Sequence, residues 1–249
     1  MTSTIYILWL REVKKFFRSK SRVIGSLGQP LFYLLALGYG LGSVFSKAGQ
    51  GNYIDFLVPG VIGMSIIFGS IFNGMSIIWD RQFGFLKETL VAPVSRLGIM
   101  LGRTLGGATT AMFQGCIVLA LTFVFGFRPH SWVLLVVALF VMLLVATLFS
   151  ALGIALASRM RDMQGFQLVM NFVVMPMFFL SGSLFPLNNL PTMLSWLVHI
   201  DPLTYGVDAM RGLLINQSHF GLGLDLGVLA VMTAVFLALG SYFFSKIEV

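Results

Sequence analysis

Residues 79–103 read WDRQFGFLKETLVAPVSRLGIMLGR, a charged and amphipathic stretch between two long apolar runs. This stretch cannot lie in hydrocarbon, where each Arg or Lys at the centre of a helix costs about 2.5–3.5 kcal/mol. It is also longer than most connections between helices, which run about 2–8 residues. A membrane protein that keeps a helix-sized connection on one face is expected to use it to contact something in the water there.

The composition of the chain is that of a membrane protein. Of its 249 residues, 57% are hydrophobic and only 10% are charged, with a mean hydropathy of +0.93. Soluble domains carry about 25% charged residues, so this chain has too little charge to cover a globule in water. We therefore predict one transmembrane domain over residues 1–249, and we interpret the net charge of +7 through membrane topology and not through nucleic-acid binding.

Six apolar runs are long enough to cross the membrane, since a transmembrane helix needs about 20 residues. The runs cover 23–45, 56–78, 105–127, 132–157, 166–185 and 222–244, and Pro176 is predicted to break the fifth. The predicted fold class is therefore all-α, a polytopic membrane protein with six transmembrane helices. We find no cleavable signal peptide before the first run and expect that run to remain in the mature protein.

The basic residues predict the orientation. Of the 16 Lys and Arg residues, Lys47, Arg128 and Arg211 fall on one side, and the other 13 fall on the side of the two termini. Cytoplasmic connections are enriched in Lys and Arg. Both termini and residues 79–103 are therefore predicted to be cytoplasmic.

The residues before the first span are predicted to form an amphipathic helix, which we delimit as 1–22. Its two faces suit a helix that lies in the membrane interface, and the same basic cluster also suits a simple topology anchor. One face, at a period of about 3.6 residues, carries Arg11, Lys14, Lys15, Arg18 and Arg22, and the other carries Ile5, Trp9, Val13 and Phe16.

Residues 186–216 are neither a clean span nor a solvated loop, because they are moderately apolar but contain three prolines and three charged residues. We predict a re-entrant pair of short helices on the outer side. Such backbone is tolerated at membrane depth only where protein or water satisfies it. Asp208 and Arg211 are three residues apart and are predicted to form an ion pair on one helix face.

The sequence lacks the common patterns of catalysis and metal binding. It has no HExxH, no GxSxG and no pair of carboxylates within a span. The three histidines follow no metal-ligand spacing, and Cys116 is the single cysteine. We therefore expect a protein that is not an enzyme and binds no metal.

Three observations bear on the energy source. The chain has no P-loop, so any ATP that drives it would be hydrolysed by a separate subunit. No span contains a clear ionisable residue, which argues against an ion-driven carrier. The polar residues within the spans, interpreted as helix-packing groups or as part of a pathway, are Gln29, Asn73, Gln114 and Asn171.

Within the charged stretch, residues 85–96 read FLKETLVAPVSR and resemble the cytoplasmic motif of ABC-2 type exporter permeases. That motif has a Glu, apolar positions, a small residue, Pro-Val and a basic residue. The matching residues here are Glu88, Leu90, Pro93, Val94 and Arg96.

The resemblance extends over nearly the whole chain. FLVPG at 56–60 is similar to the entry of the family's second span. SGSLFP at 181–186 and DPLTY at 201–205, followed by Arg211, are similar to its outer re-entrant region. The variety it most resembles is the daunorubicin-resistance and nodulation-factor type.

The resemblance implies half of a type V exporter in the bacterial plasma (inner) membrane. Two six-span permeases, a second copy or a close paralogue completing the pair, would assemble with two ABC ATPase subunits. This chain would bind no cofactor itself, and the ATPase subunits would hold ATP and Mg. The transported compound is expected to be amphipathic or hydrophobic, drug-like or lipid-like, with a lipid-linked polysaccharide or glycan as the alternative.

The resemblance also implies which residues act. The helix at 81–92 would be the coupling helix, and Pro93 is predicted to end it by holding Ala92 extended. The predicted ATPase-coupling residues are Arg81, Phe83, Phe85, Leu86, Lys87, Glu88 and Pro93. Substrate would pass between the protomers, along the first, second and fifth spans, where the candidate residues are Phe32, Tyr33, Tyr39, Phe72, Asn73 and Asn171.

Two other functional classes remain open from the sequence. A membrane scaffold would use residues 79–103 to recruit a cytosolic partner without transport. A channel or secondary carrier would work without ATP, although the spans lack the ionisable residue that such proteins usually contain.

Overall fold

The protein is helical throughout the part of the chain that the structure describes. This computed structural model describes residues 2–47, 52–91, 93–188 and 190–247, and within them every regular element is a helix. Six helical segments are long and apolar enough to cross a membrane. The predicted all-α fold with six transmembrane helices is confirmed.

The helix bounds agree with the predicted spans to within a few residues at most ends. Five spans are single helices, and the fifth along the chain consists of an α-helix, a π turn at Met170–Val174 and a second α-helix. In chain order the helices are α1 Thr2–Arg18, α2 Lys20–Lys47, α3 Tyr53–Gln82, α4 Phe85–Val91, α5 Arg96–Val124, α6 Trp132–Arg159, α7 Met163–Val169, α8 Met175–Leu180, α9 Thr192–Ile200, α10 Pro202–Ile215 and α11 Leu222–Ser245.

Helix α3 lies at the centre of the bundle. In the most apolar 18-residue stretch of α3, 78% of the residues are buried, and in the corresponding stretches of α2 and α11 only 17% are buried. Glycines allow the backbones to approach closely, because a Cβ atom at Gly74 would lie 2.4 Å from the carbonyl oxygen of Gly153 on α6. The least buried spans therefore form the periphery and face lipid or another chain.

Pro176 does not break the fifth span, contrary to the prediction. The π turn Met170–Val174 directly precedes α8, and Pro176 lies in the first turn of that helix. A proline inside a helix clashes with the carbonyl four residues earlier. The wider π turn accommodates this clash, so the span continues from Met163 to Leu180.

Helix α1 packs against α5 of its own chain, so part of the apolar face of the predicted interfacial helix contacts protein. The indole Nε1 of Trp9 donates to the hydroxyl of Thr109 at 2.9 Å. A Cβ atom at Gly102 would lie 2.9 Å from the Cβ of Leu8, so this glycine sets the helix contact. The predicted helix 1–22 is divided, because α1 ends at Arg18 with four of the five predicted basic residues, and Arg22 belongs to α2, with its side chain outside the described part.

The segment 186–216 contains two short helices, α9 and α10, as predicted. Asp201 separates them and caps α10, because its carboxylate accepts from the backbone N–H of Leu203 at 2.9 Å. The phenol of Tyr205 donates to the carbonyl of His199 at 2.8 Å and ties the two helices together. Helix α10 is almost entirely buried, so this segment is part of the protein core.

Candidate functional site

The connection between α3 and α5 holds the short helix α4. Helix α3 ends at Gln82, and Gly84 turns the chain with a φ of +82°, a left-handed conformation that glycine adopts without strain. At the other end, the hydroxyl of Ser95 caps α5 by accepting from the N–H of Gly98 at 3.2 Å. The predicted connection 79–103 is therefore too long, because α3 continues to Gln82 and α5 already begins at Arg96.

Helix α4 and the residues just before it expose large apolar side chains. Phe83 is 74% exposed, Phe85 is 54% exposed and Val91 is 84% exposed. Glu88 is also exposed and lies three residues after Phe85, on the same helix face. Exposed aromatic side chains beside a charged group are typical of a protein-binding surface.

Two of the predicted ATPase-coupling residues instead fasten α4 and α3 to the rest of the protein. Leu86 is completely buried in the core. Arg81 donates from Nη1 to the carbonyl of Met160 at 2.7 Å and from Nη2 to the carbonyl of Ser158 at 3.3 Å. These carbonyls lie at the C-terminus of α6, where a helix leaves acceptors without internal partners. Arg81 and Leu86 therefore help to position the helix, and Leu86, being fully buried, has no exposed surface for a partner.

The remaining predicted coupling residues are on the surface. Lys87, Glu88 and Pro93 are exposed, like Phe83 and Phe85. Helix α4 ends at Val91, before Pro93, and Ala92 itself lies outside the described residues.

A buried ionic cluster joins α1, α3 and α5. Asp80 on α3 accepts from Arg103 at 2.5 Å and from Arg11 at 3.2 Å. Asp80 is 5% exposed and Arg103 is 3% exposed, so this pair is almost completely desolvated. Sequence reasoning placed these residues in a solvated loop. The capping signal at Ser95 would have placed Arg103 inside a helix instead.

Phe72 and Asn73, two of the predicted pathway residues, line a cavity of about 520 Å³ between α2, α3 and α5. The Asn73 amide donates to the hydroxyl of Thr110 at 2.9 Å. Gln29 and Gln114 also line the cavity, and the Gln114 amide donates to the carbonyl of Ser26 at 3.4 Å. Its described lining combines amides and hydroxyls with aromatic rings and includes no charged side chain.

The other four predicted pathway residues are not in this cavity. Phe32 and Tyr39 on α2 are 67% and 66% exposed. The Tyr33 ring packs edge-on against Phe178, with the ring centroids 6.0 Å apart. Asn171 is exposed in the π turn. The sequence therefore grouped residues that the fold distributes between one cavity and the periphery.

The predicted ion pair between Asp208 and Arg211 does not form. The carboxylate of Asp208 instead accepts from the backbone N–H groups of His219 at 2.8 Å and Phe220 at 2.8 Å. Arg211 donates to the carbonyl of Gly182 at 2.9 Å, and its guanidinium lies 4.0 Å from the centroid of the Phe56 ring. The two residues thus connect α10 to different neighbours, because backbone groups from the surrounding loops supply their hydrogen bonds.

We predict that Asp201 makes stability depend on pH. Burial raises the pKa of its carboxyl from the usual value to about 7. In the unfolded chain the pKa is about 3.9, so the folded state binds the proton more tightly, and stability falls as the pH rises from about 4 to about 7. Asn also caps a helix but carries no charge. Asp201→Asn is therefore expected to raise the thermal midpoint of the purified chain more at pH 8 than at pH 5. An equal effect at the two pH values would contradict this prediction.

Comparisons with known proteins agree with this architecture. A family described as ABC-2 type transporter matches residues 3–215. The chain is 29% identical over 232 residues to the inner membrane transport permease YadH of Escherichia coli strain K12, covering 92% of this chain and 90% of that protein. It is 29% identical over 215 residues to nodulation protein J of Rhizobium meliloti, with 86% and 81% covered. It is 26% identical over 232 residues to nodulation protein J of Rhizobium leguminosarum bv. trifolii, with 92% and 86% covered.

Proposed function

The chain belongs to the ABC-2 type transporter family and is a membrane permease subunit, and from this premise we propose that it exports an amphipathic or hydrophobic compound. Membership of the family implies an ABC ATPase as partner. We propose that the compound leaves the cytoplasm or the inner leaflet, and that ATP and Mg bind to the separate ATPase. The naming of a relative as an inner membrane permease supports the same location for this chain.

The observation that carries this proposal is the exposed face of α4. Phe85 and Glu88 lie on one exposed face of this helix, Phe83 is exposed two residues before the helix begins, and Leu86 is buried in the core. A partner that binds this face moves α4 against Leu86 and Arg81. Since Arg81 is hydrogen-bonded to the end of α6, the movement is transmitted to α3 and α6. ATP-driven closure of two ATPase subunits would thereby shift the permease between inward-facing and outward-facing states.

The test is a double substitution on this face. Phe85→Ala with Glu88→Gln is expected to weaken ATPase binding about tenfold or more, because it removes an aromatic anchor and a charge at the contact. ATP hydrolysis by the complex and ATP-dependent transport are measured in vesicles. Phe140→Ala is the matched control, since Phe140 is an exposed phenylalanine on α6, outside the spans proposed to line the pathway. Unchanged transport in the double variant would argue strongly against the coupling role of α4.

The cavity between α2, α3 and α5 supports an amphipathic substrate. Phe72 and Trp79 offer apolar area, and Asn73 and Gln114 offer neutral hydrogen-bonding groups at the same site. Aromatic side chains combine a large apolar area with a specific geometry of contact. The same combination of aromatic rings and amides also suits sugar rings, which keeps a lipid-linked polysaccharide or glycan as the second candidate.

We also propose the composition of the complex. Two copies of this chain, or one copy and a close paralogue, would pair through the peripheral spans and assemble with two ATPase subunits. The exposed residues Phe32 and Tyr39 on α2 are available for such a contact. A scaffold without transport is the competing class. Co-purification with an ATPase whose hydrolysis rate changes on binding would support the exporter, and recruitment without any such change would support the scaffold.

A further inference from the structure

A basic groove lies beside α4, at the ends of three transmembrane helices. Its volume is about 1030 Å³. Helix α4 contributes Lys87, Leu90 and Val91 to one wall. Arg96 at the start of α5, Arg159 at the end of α6 and Lys246 after α11 contribute the others. Four cationic side chains thus surround one space, and none of the described residues that line it is acidic.

Arg96 is held by uncharged partners. Its Nη1 donates to the carbonyl of Ser245 and, at 3.1 Å, to the carbonyl of Ile247. These carbonyls lie at the C-terminal end of α11, so Arg96 ties the start of α5 to that end. The contacts fix the guanidinium in place without neutralising its charge.

Arg159 and Lys246 are held in the same way. The Arg159 guanidinium lies 4.6 Å from the centroid of the Phe243 ring. The amine of Lys246 donates to the phenol oxygen of Tyr242 at 2.6 Å. Arg103, by contrast, is paired directly with a carboxylate. The groove therefore holds positioned positive charge whose described partners are neutral.

The groove lies at the depth of the lipid headgroups. Arg159 and Ser245 are the last residues of α6 and α11, two helices long and apolar enough to span the membrane, and they lie within two residues of the predicted ends of those spans. Tyr242 is half-exposed in the last turn of α11, and tyrosine is enriched at this level of the bilayer. The excess of basic residues predicts that this side is cytoplasmic, where anionic lipids attract basic groups.

Helix α4 separates the groove from the surface proposed to bind the ATPase. Lys87, Leu90 and Val91 follow the spacing of one helix face, three and four residues apart. At about 100° per residue, Phe85 lies about 160° around the same helix from Lys87, and Glu88 lies about 100° from Lys87, between the two surfaces. The groove is therefore a second surface, with a chemistry of its own.

We propose that this groove binds the phosphate headgroup of an anionic phospholipid from the cytoplasmic leaflet. Guanidinium groups bind phosphate oxygens through paired charge-assisted hydrogen bonds, and Lys87 and Lys246 add point charges. Leu90 and Val91 provide apolar contacts for the glycerol region of the same lipid. A bound lipid joins α4 to the ends of α6 and α11 and so stabilises the resting position of α4.

The proposal is tested on the purified full-length chain in nanodiscs, with phosphatidylglycerol as the probe and phosphatidylcholine as its uncharged counterpart. Native mass spectrometry measures the lipids retained. Lys87→Gln with Lys246→Gln is expected to weaken retention of phosphatidylglycerol roughly 30-fold and to leave phosphatidylcholine unchanged. Lys14→Gln with Lys20→Gln removes the same charge from exposed positions elsewhere on the predicted cytoplasmic side and is expected to have a clearly smaller effect, because these amines do not line the groove.

Further arms identify the source of the phosphate and exclude misfolding. Lys87→Arg with Lys246→Arg keeps the charge and is expected to retain the lipid. Equal loss of lipid in the Lys14 and Lys20 control would indicate diffuse attraction and would overturn the proposal. Complete displacement of the lipid by inorganic phosphate would overturn it in favour of a soluble anion. Full lipid retention by the Lys87 and Lys246 glutamine variant, with loss of ATPase binding, would assign the groove to the protein partner.

Discussion

Replacing Asp80 with alanine is expected to destabilise the folded protein by about 3–5 kcal/mol, because it leaves a buried cation without its partner. Arg103 is 3% exposed, and its hydrogen bond of 2.5 Å to Asp80 joins α5 to α3. The same substitution releases Arg11 and weakens the attachment of α1. The free energy of unfolding in detergent micelles, together with the yield of folded protein, measures this effect.

Two further variants separate the buried charge from a general effect of losing a carboxylate. Glu88→Ala also removes a carboxylate, but from an exposed position, and is expected to change stability by less than about 0.5 kcal/mol. Adding Arg103→Met to Asp80→Ala removes the orphaned cation and should restore part of the lost stability. If Asp80→Ala were as mild as Glu88→Ala, Arg103 would have to find another counterion or reach water.

The second large effect is expected for Gly74→Ala at the crossing of α3 and α6. A Cβ atom there would lie 2.4 Å from the carbonyl oxygen of Gly153 and 2.5 Å from its carbonyl carbon. Both are backbone atoms, so no side-chain rotation relieves the clash and the two helices must move apart. We expect a loss of about 1–3 kcal/mol or more, the usual cost of overpacking a core.

Gly227→Ala is the matched control for this prediction. Gly227 also lies within a membrane-spanning helix, α11, but a Cβ atom there meets nothing within 4 Å. Alanine is a better helix former than glycine by about 1 kcal/mol, so this variant should be neutral or more stable. Thermal unfolding of the two variants under the same conditions measures the difference. Equal midpoints would show that α3 and α6 are not closely packed at Gly74.

The six spans were predictable because the thickness of the hydrocarbon imposes a length on every apolar run. Hydropathy did not predict where α3 and α5 continue beyond the membrane. Asp80 and Arg103 are charged, and a hydropathy argument therefore places both in water. Their mutual pairing makes burial possible, and such pairing depends on how α3 and α5 lie against each other, which local sequence does not specify.

The candidate site was predictable in part, for a reason that lies in the shortness of α4. Phe85 and Leu86 are adjacent and both apolar, so the sequence makes them equally suitable anchors for a partner. In the structure one is exposed and the other is fully buried, because adjacent residues on a helix point about 100° apart. Over two helical turns the periodicity is too weak to show which face packs inward.

The error at Asp208 has a different origin. Spacing of three residues brings Asp208 and Arg211 to the same side of α10, and the sequence therefore favoured a pair. The backbone N–H groups of His219 and Phe220 come from the following loop and bind the carboxylate instead. Hydropathy and periodicity describe side chains, so they do not show the main-chain donors that a loop brings to a buried carboxylate.

The widened turn at Met170–Val174 keeps the buried side of the fifth span straight. Phe166, Met170, Val174 and Phe178 recur at every fourth residue, and all four are buried. On an ideal α-helix a repeat of four winds around the axis by about 40° per step, and the row would turn away from the bundle. One turn with more residues per revolution cancels part of that drift. The two halves of this span therefore bury one continuous row of side chains against the protein. The residues that widen the turn, 171–173, are exposed on the other side.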